Sequence, residues 1–353
     1  MSPDMNTLRK EEMSPVKVPA NLPDLVRATF NKAKANGDVN FYPTQVAVLT
    51  PASTPFQLRF SPSLANKPKA PPSSSSPSSG HEKKKPFNPF ENPPPQLTVS
   101  PIGPSHTLVL NKFAIVPEHA ILITRTFKPQ THLLEADDLA ATHACIRAYH
   151  DCPTEGKERE ELFAFFNCGD HSGASQPHRH LQLLPVTRMR DGLAYEREEH
   201  AAWSVLANRL TDPVTDNTRL PFATFAEKLS LDMQAEELHA VYRRLYRRAC
   251  NAAKVGAVGM ADEELFQGEA KISYNLAMTK DAMVVCPRTA EGSSVLDREG
   301  RDVGKLSLNG TLLAGTALVK SEDEWNVLRN DPEQLWKILG SIGIPSEDAS
   351  TES

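Results

Sequence analysis

His178, His180 and Gln182 are spaced two apart in the run Gln176-Pro177-His178-Arg179-His180-Leu181-Gln182-Leu183. In an extended strand successive side chains alternate between faces. This spacing therefore puts the three polar groups in one row and turns Arg179, Leu181 and Leu183 to the other side. Polar groups on a half-buried strand need partners, because an unpaired one costs about 1–3 kcal/mol. Three kinds of chemistry fit. His-x-His on a strand can present two imidazoles to zinc, although Gln182 is a poor zinc ligand and no carboxylate or third histidine follows nearby. The histidines can be structural, satisfied by backbone carbonyls. One neutral imidazole can also act as a nucleophile toward phosphorus while its neighbours hold and orient it. The preceding loop, Ser172-Gly173-Ala174-Ser175, favours this third reading, since small side chains let backbone N–H groups and two hydroxyls approach a phosphate closely.

The elements that must position this row can be read around it. Leu162–Asn167 (LFAFFN) is a buried strand, and with the turn-rich loop and the following HRHLQLLPV it forms a hairpin of an antiparallel sheet. Upstream, His106–Ile115 and His119–Thr124 read as short strands. Leu139, His143, Ile146 and Tyr149 recur at helical spacing over Ala136–His150, and Cys152-Pro153 closes that helix. Downstream, residues 231–254 form a long helix, with Leu238, Val241, Leu245 and Ala249 on one face and Arg243, Arg244, Arg247 and Arg248 on a solvated edge. Two more strands follow, ISYNLAMT and AMVVCPR. Ser321-Glu322-Asp323-Glu324 has the capping-box spacing that opens a terminal helix. His143 reads as a core histidine, His171 as an exposed loop residue, and Asp137-Asp138 and Glu158–Glu161 as solvated charges.

The 353 residues, 39% apolar and 24% charged, suffice for two lobes or one large composite domain. Ten of the 29 prolines fall between Pro62 and Pro95. The centre of that stretch, Pro71–Lys85, has no apolar residue to offset the entropy of ordering, so a disordered insertion over about 68–95 is expected. The formal charge of −5 excludes a chain that lives on a nucleic-acid backbone, so a polyanion would have to be met by a local site. The N-terminus lacks the apolar run of a secretory signal. The longest apolar stretches are about half the ~20 residues that span a bilayer, so a soluble protein is expected. Five cysteines, odd in number and without a CxxC pair, fit reduced thiols in the cytoplasm or nucleus, and Cys168 near the histidine row carries no role.

At these residues the sequence resembles the fungal-type diadenosine tetraphosphate phosphorylases, or ATP adenylyltransferases. They belong to the transferase branch of the histidine-triad superfamily, in which His-x-His-x-Gln replaces a third histidine. SGASQPHRHLQ resembles the family's active-site strand. FQLRFSPSLANKP, LVLNKFAIVPEHAILITRTFKPQ, FAFFNCGDHSGASQPHRHLQLLP, SYNLAMTKDAMVVCPR and LLAGTALVKSEDE resemble further family blocks in the family's order. Only the lengths of Pro71–Lys85 and of residues 291–305 depart from it.

The resemblance implies an α+β fold, a histidine-triad-like antiparallel sheet with helices packed on one face. Residues 1–212 would form the catalytic region and 213–345 an ATP adenylyltransferase region that completes the nucleotide site, with a frayed tail at 346–353. It implies reversible phosphorolysis of diadenosine tetraphosphate to ADP and ATP, and possible exchange of sulfate for phosphate on adenylyl sulfate. The rivals are a dinucleotide hydrolase and a non-enzymatic nucleotide sensor. His180 would be the nucleophile, His178 would orient it, and Gln182 would bind an α-phosphate oxygen. Asn167, Gly173, Ala174, Ser175 and Gln176 would hold phosphates and ribose. Lys67, Asn111, Lys112, Asn275, Met278, Thr279 and Lys320 would line the nucleotide site. The expected partners are the dinucleotide, ATP, ADP and inorganic phosphate, with Mg²⁺ as the divalent cation, no nucleic acid or membrane, and a monomeric chain.

Overall fold

The computed structural model describes residues 16–63, 87–153, 159–193, 203–212, 218–255 and 262–346. Lys67, the stretch 71–85, residues 213–217 and the tail beyond residue 346 lie outside them. The centre is an eight-stranded sheet built from β3 (Thr98–Ile102), β4 (His106–Leu110), β5 (Ala120–Thr124), β6 (Leu162–Cys168), β7 (His180–Pro185), β8 (Phe225–Lys228), β9 (Ser273–Met278) and β10 (Ala282–Arg288). Their order is β3-β4-β5-β7-β6-β9-β10-β8, and every neighbouring pair is antiparallel. The expected hairpin is present, with Phe165 opposite Gln182 and Leu162 opposite Pro185. β9 pairs with the other edge of β6, so the C-terminal part of the chain continues the same sheet.

Period-two alternation builds two cores. Leu162, Ala164, Phe166 and Cys168 of β6, Leu181 and Leu183 of β7 and Tyr274, Leu276 and Met278 of β9 bury toward α1 (Leu22–Ala35), α2 (Ala136–Asp151) and α3 (Ala235–Ala252). Phe163, Phe165, Leu184 and Ala277 bury on the opposite face. That face is covered too, which the sequence did not lead us to expect. β1 (Gln45–Leu49), β2 (Phe56–Phe60) and β13 (Thr316–Val319) form a second sheet there, joined by the hairpin β11 (Gly292–Leu296)–β12 (Asp302–Ser307), α4 (Glu322–Asn330) and α5 (Pro332–Ser341).

The capping box at Ser321 is present, with Ser321 Oγ accepting from the Glu324 N–H. The single terminal helix expected is two helices, because Asp331 leaves helical geometry and Pro332 starts a new one. The arginine edge of α3 is engaged: Arg243 and Arg247 lie over Phe266, Arg248 over Phe225, and Arg244 pairs with Glu227. Among the described residues no helix is long and apolar enough to cross a membrane.

Candidate active site

On the face away from α1–α3 the apolar packing is interrupted. One apolar group holds Phe163, Phe165 and Leu184; another holds Phe90, Val109, Ile121 and Ile123. Strand register places His180 and Gln182 between them, with Asn167 on β6, Asn275 on β9 and Arg288 on β10 sharing the same face. The predicted row is therefore real, and the sheet extends it across three further strands.

His178 precedes β7 and is buried. Asn88 accepts the Phe90 N–H at its Oδ1, which turns its amide nitrogen to His178 Nδ1 at 2.9 Å. Nδ1 is thus an acceptor, and Nε2–H donates to the Thr124 carbonyl at 2.8 Å. Burial keeps this ring below the ordinary imidazole pKa, against the hydrogen bond to Thr124. With both nitrogens occupied, His178 cannot also ligate a metal, which removes the geometric basis of a His-x-His zinc pair.

His180 is fixed differently. Its Nδ1 lies 2.8 Å from the His178 carbonyl oxygen, so Nδ1 carries the proton and Nε2 keeps its lone pair. Burial pushes the ring's pKa down to about 4, so it is neutral at pH 7. Gln130 holds the strand: its Oε1 accepts the His180 N–H at 2.8 Å, and its amide donates to the Asn167 and His180 carbonyls at 2.7 and 3.2 Å. The Phe90 ring centre is 5.1 Å from that of His180.

Asn167 and Asn275 are largely committed to holding the strands together. The Asn275 amide donates to Asn167 Oδ1 and to the Ser172 carbonyl, both at 2.9 Å, and Asn275 Oδ1 accepts from Arg288. Asn167 Oδ1 also accepts the Gly310 N–H at 2.8 Å, which docks the 310–314 turn onto β6. A Cβ at Gly310 would lie 2.9 Å from that same oxygen, so only glycine fits there. Arg288 completes the tie by donating to the carbonyls of Ala290, Glu291 and Leu308.

The small-residue loop is only partly open. The Ser172 hydroxyl is buried on the Gly169 carbonyl at 2.6 Å, so one of the two hydroxyls expected to face a phosphate is already committed. Gly173 has φ +77° and no room for a Cβ against Leu308 and Asn309. Ala174 and Ser175 are exposed and Gln176 half-exposed, leaving their backbone accessible.

The remaining expected residues divide. Lys112 and Lys320 are exposed, and Asn111 is half-buried at the end of β4. Met278 packs in the helix-side core, on the face opposite His180. Thr279 closes the β9–β10 turn, accepting from the Ala282 N–H and donating to Asn208. Met278 therefore offers no side chain to this face, and the Thr279 hydroxyl is committed to Asn208. Asp138 is buried, against expectation: it pairs with His106 at 2.9 Å and Arg179 at 2.8 Å and holds the first turn of α2. Glu160 is likewise a buried partner of Arg27. The expected disordered span is too long, since Asn88 and Phe90 are ordered against the two histidines. His171 is exposed and His143 buried, as expected.

The comparisons match this architecture to known proteins. The Ap4A phosphorylase N-terminal domain matches residues 12–196, and the ATP adenylyltransferase C-terminal domain matches residues 218–345. Diadenosine 5',5'''-P1,P4-tetraphosphate phosphorylase 2 of Saccharomyces cerevisiae is 30% identical over 339 residues, 92% of this chain and 95% of the relative. The chain belongs to the Ap4A phosphorylase family. It is a nucleotidyltransferase of that family, built as the two matched regions sharing one sheet. The crystal structure of yeast Ap4A phosphorylase Apa2 superposes with a TM-score of 0.68 at 26% identity, covering 92% of this chain and 98% of that one. Its complex with Ap4A gives 0.66 over the same shares.

Family membership does not by itself say which side chains act. Asn88 lies in a stretch whose composition reads as disordered, and nothing in the spacing around Gln130 marks it. His119 could have been found, because it shares a face with Ile121 and Ile123 by strand alternation.

Proposed function

We propose that this chain carries out reversible phosphorolysis of diadenosine tetraphosphate through an adenylyl-His180 intermediate. The observation that supports it best is the locked tautomer of His180: Nδ1–H is held by the His178 carbonyl, and Nε2, in no hydrogen bond among the described residues, keeps its lone pair. Nε2 attacks an α-phosphorus, the P–O bond to the β-phosphate breaks, and ATP departs. An oxygen of inorganic phosphate then attacks the same phosphorus, the N–P bond breaks, and ADP leaves with the ring neutral again. A polyphosphate is a weak base and leaves without a strong general acid, which suits an amide at Gln182 where an imidazolium could stand. The same intermediate would serve adenylyl sulfate, with sulfate departing.

Developing charge on the phosphates is met by donors. The backbone N–H groups of residues 173–176 and the Gln182 amide would bind the phosphate that reacts. Lys112 and Lys320, both exposed, would meet the outer phosphates. Asn167, Asn275 and Asn111 serve mainly by positioning the strands. Among the described residues no group of three or more His, Cys, Asp or Glu side chains converges to hold a metal ion. Mg²⁺ would arrive bound to the polyphosphate of the substrate. All five cysteines are free and buried, and burial pushes the Cys145, Cys168 and Cys286 thiols up to about 12, which suits a reduced cytoplasmic or nuclear protein. A monomer is proposed.

The test is a product assay on diadenosine tetraphosphate with Mg²⁺, with and without phosphate, beside His180→Ala. ADP and ATP in equal amounts, only with phosphate and only from the unaltered chain, is the expected result. AMP plus ATP, or two ADP, without phosphate would mean a hydrolase; tight nucleotide binding without turnover would mean a sensor.

A further inference from the structure

Three polar side chains line up from the end of β4 past the start of β5 to β7, the strand that carries His180. Asn111, just beyond β4, pairs with His119, just before β5, through the Asn111 N–H to the His119 carbonyl at 2.8 Å. Ile121 of β5 faces Gln182 of β7, so His119, two residues earlier, lies diagonally beside Gln182 on the same face. His119 is 7% exposed, and no part of the mechanism above uses it.

The protonation of this ring can be assigned from its neighbours. Asn111 Oδ1 accepts the Phe113 N–H at 2.9 Å, so the Asn111 amide nitrogen is the atom turned to His119 Nδ1, at 3.2 Å. Nδ1 must then be an acceptor, and the proton of the neutral ring sits on Nε2. That Nε2 is buried and has no hydrogen-bond partner among the described residues. A buried N–H without a partner is costly, so the atom opposite it matters. Gln182, its diagonal cross-strand neighbour on the same face, is the side chain placed to meet that N–H, and only the oxygen end of its amide can accept it.

We propose that His119 is a positioning residue that holds the Gln182 amide by its oxygen and thereby turns the Gln182 NH₂ toward the α-phosphate. A glutamine amide is close to symmetric in shape, and either end could face the substrate. With its oxygen inward it would repel a phosphate; with its NH₂ inward it donates. Asn111 sets the tautomer of His119, and His119 sets the orientation of Gln182. Asn111 thus acts on the site through two side chains, without touching the nucleotide.

This inference rests on phosphorolysis through His180 and on Gln182 as the phosphate donor, and the experiment separates the two. Steady-state phosphorolysis is measured for the unaltered chain, Gln182→Ala, His119→Phe, His119→Gln and the double variant Gln182→Ala/His119→Phe. His119→Phe fills the space without the N–H and is expected to lower kcat about 10- to 100-fold with KM changed less than about threefold. His119→Gln, whose amide nitrogen reaches the position of Nε2, should recover most of that loss. In the Gln182→Ala background, His119→Phe should change nothing further. Full additivity of the two losses, or an unchanged kcat in His119→Phe, overturns the positioning role while leaving phosphorolysis standing. If the unaltered chain shows no phosphorolysis, the functional reading itself fails. Should His119→Phe not fold, Asn111→Leu reads the same coupling by releasing the tautomer, with a smaller loss that must also vanish in the Gln182→Ala background.

Discussion

Arg179 and His180 are adjacent residues with opposite surroundings. Arg179 points to the helix side and meets Asp138 and Glu135 at 2.8 Å each. His180 points to the other side and meets backbone carbonyls, amides and a phenyl ring. Both are almost fully buried. On the helix side, burial of charge is offset by opposite charge, and the group is used up in holding α2 to the sheet. On the site side, the imidazoles are buried and neutral, and each has its tautomer set by a neighbour. A neutral ring with one nitrogen committed and the other open can do chemistry. A charge held in a structural ion pair cannot.

The sharpest way to break this contrast is to remove the open nitrogen. His180→Ala should lower turnover by on the order of 10⁴-fold or more while the protein unfolds at close to the same urea concentration. Residual turnover within tenfold of the unaltered chain would place the nucleophile elsewhere. Asp138→Ala should do the reverse, leaving Arg179 buried without its main partner at a cost of about 3–5 kcal/mol in urea unfolding, with kcat of the folded protein near its original value. A loss of kcat larger than the loss of stability would show that the two faces are coupled.

Acid should also tell the faces apart. Burial holds His180 and His119 near pKa 4, against about 6.5 in an unfolded chain, so between those pH values the unfolded state takes up protons that the native state refuses. Their contribution is complete above about pH 6.5 and is lost as pH falls toward 4. Burial would raise Asp138, but His106 and Arg179 bring it below the ordinary carboxylate value. Its contribution is therefore present above about 3.8 and disappears only at lower pH. Urea unfolding at pH 7, 5 and 4 checks this: His180→Gln should fall less steeply than the unaltered chain across that range, and equal slopes would contradict the buried-neutral assignment.

Smaller effects refine the picture. Gln130→Ala removes three hydrogen bonds at the junction of β6 and β7 and should destabilise by about 1–3 kcal/mol. Circular dichroism melts read that directly. Asn88→Ala frees Nδ1 of His178 and should cost about 1 kcal/mol, visible as a severalfold drop in kcat with the melting temperature barely moved. A change in melting temperature alone would make Asn88 structural.

Much of this was legible in the sequence. The spacing of His178, His180 and Gln182 gave one face, and the LFAFFN and HRHLQLLPV runs gave the hairpin that carries it. Local pattern could not reveal Asp138, because its burial depends on Arg179, 41 residues further along the chain. Asn88 was hidden by composition, as the prolines on either side of it read as unstructured while its bonds to His178 and Phe90 hold it in place. The second sheet over the site face went unseen because β13 joins β2 in parallel across more than 250 residues, a pairing no local periodicity encodes.

The bond between Asn275 and Asn167 spans 108 residues of sequence. Synthesis at about 5–20 residues per second puts roughly 5–20 s between the appearance of those two asparagines. During that interval β6 has β7 on one side and an open edge on the other, with Leu162, Phe163, Phe165 and Phe166 displayed along it. Open, apolar strand edges recruit other chains. A sheet completed only by the last third of the chain therefore leaves an open apolar edge on β6, directly beside the strand that carries His180, until the protein is finished.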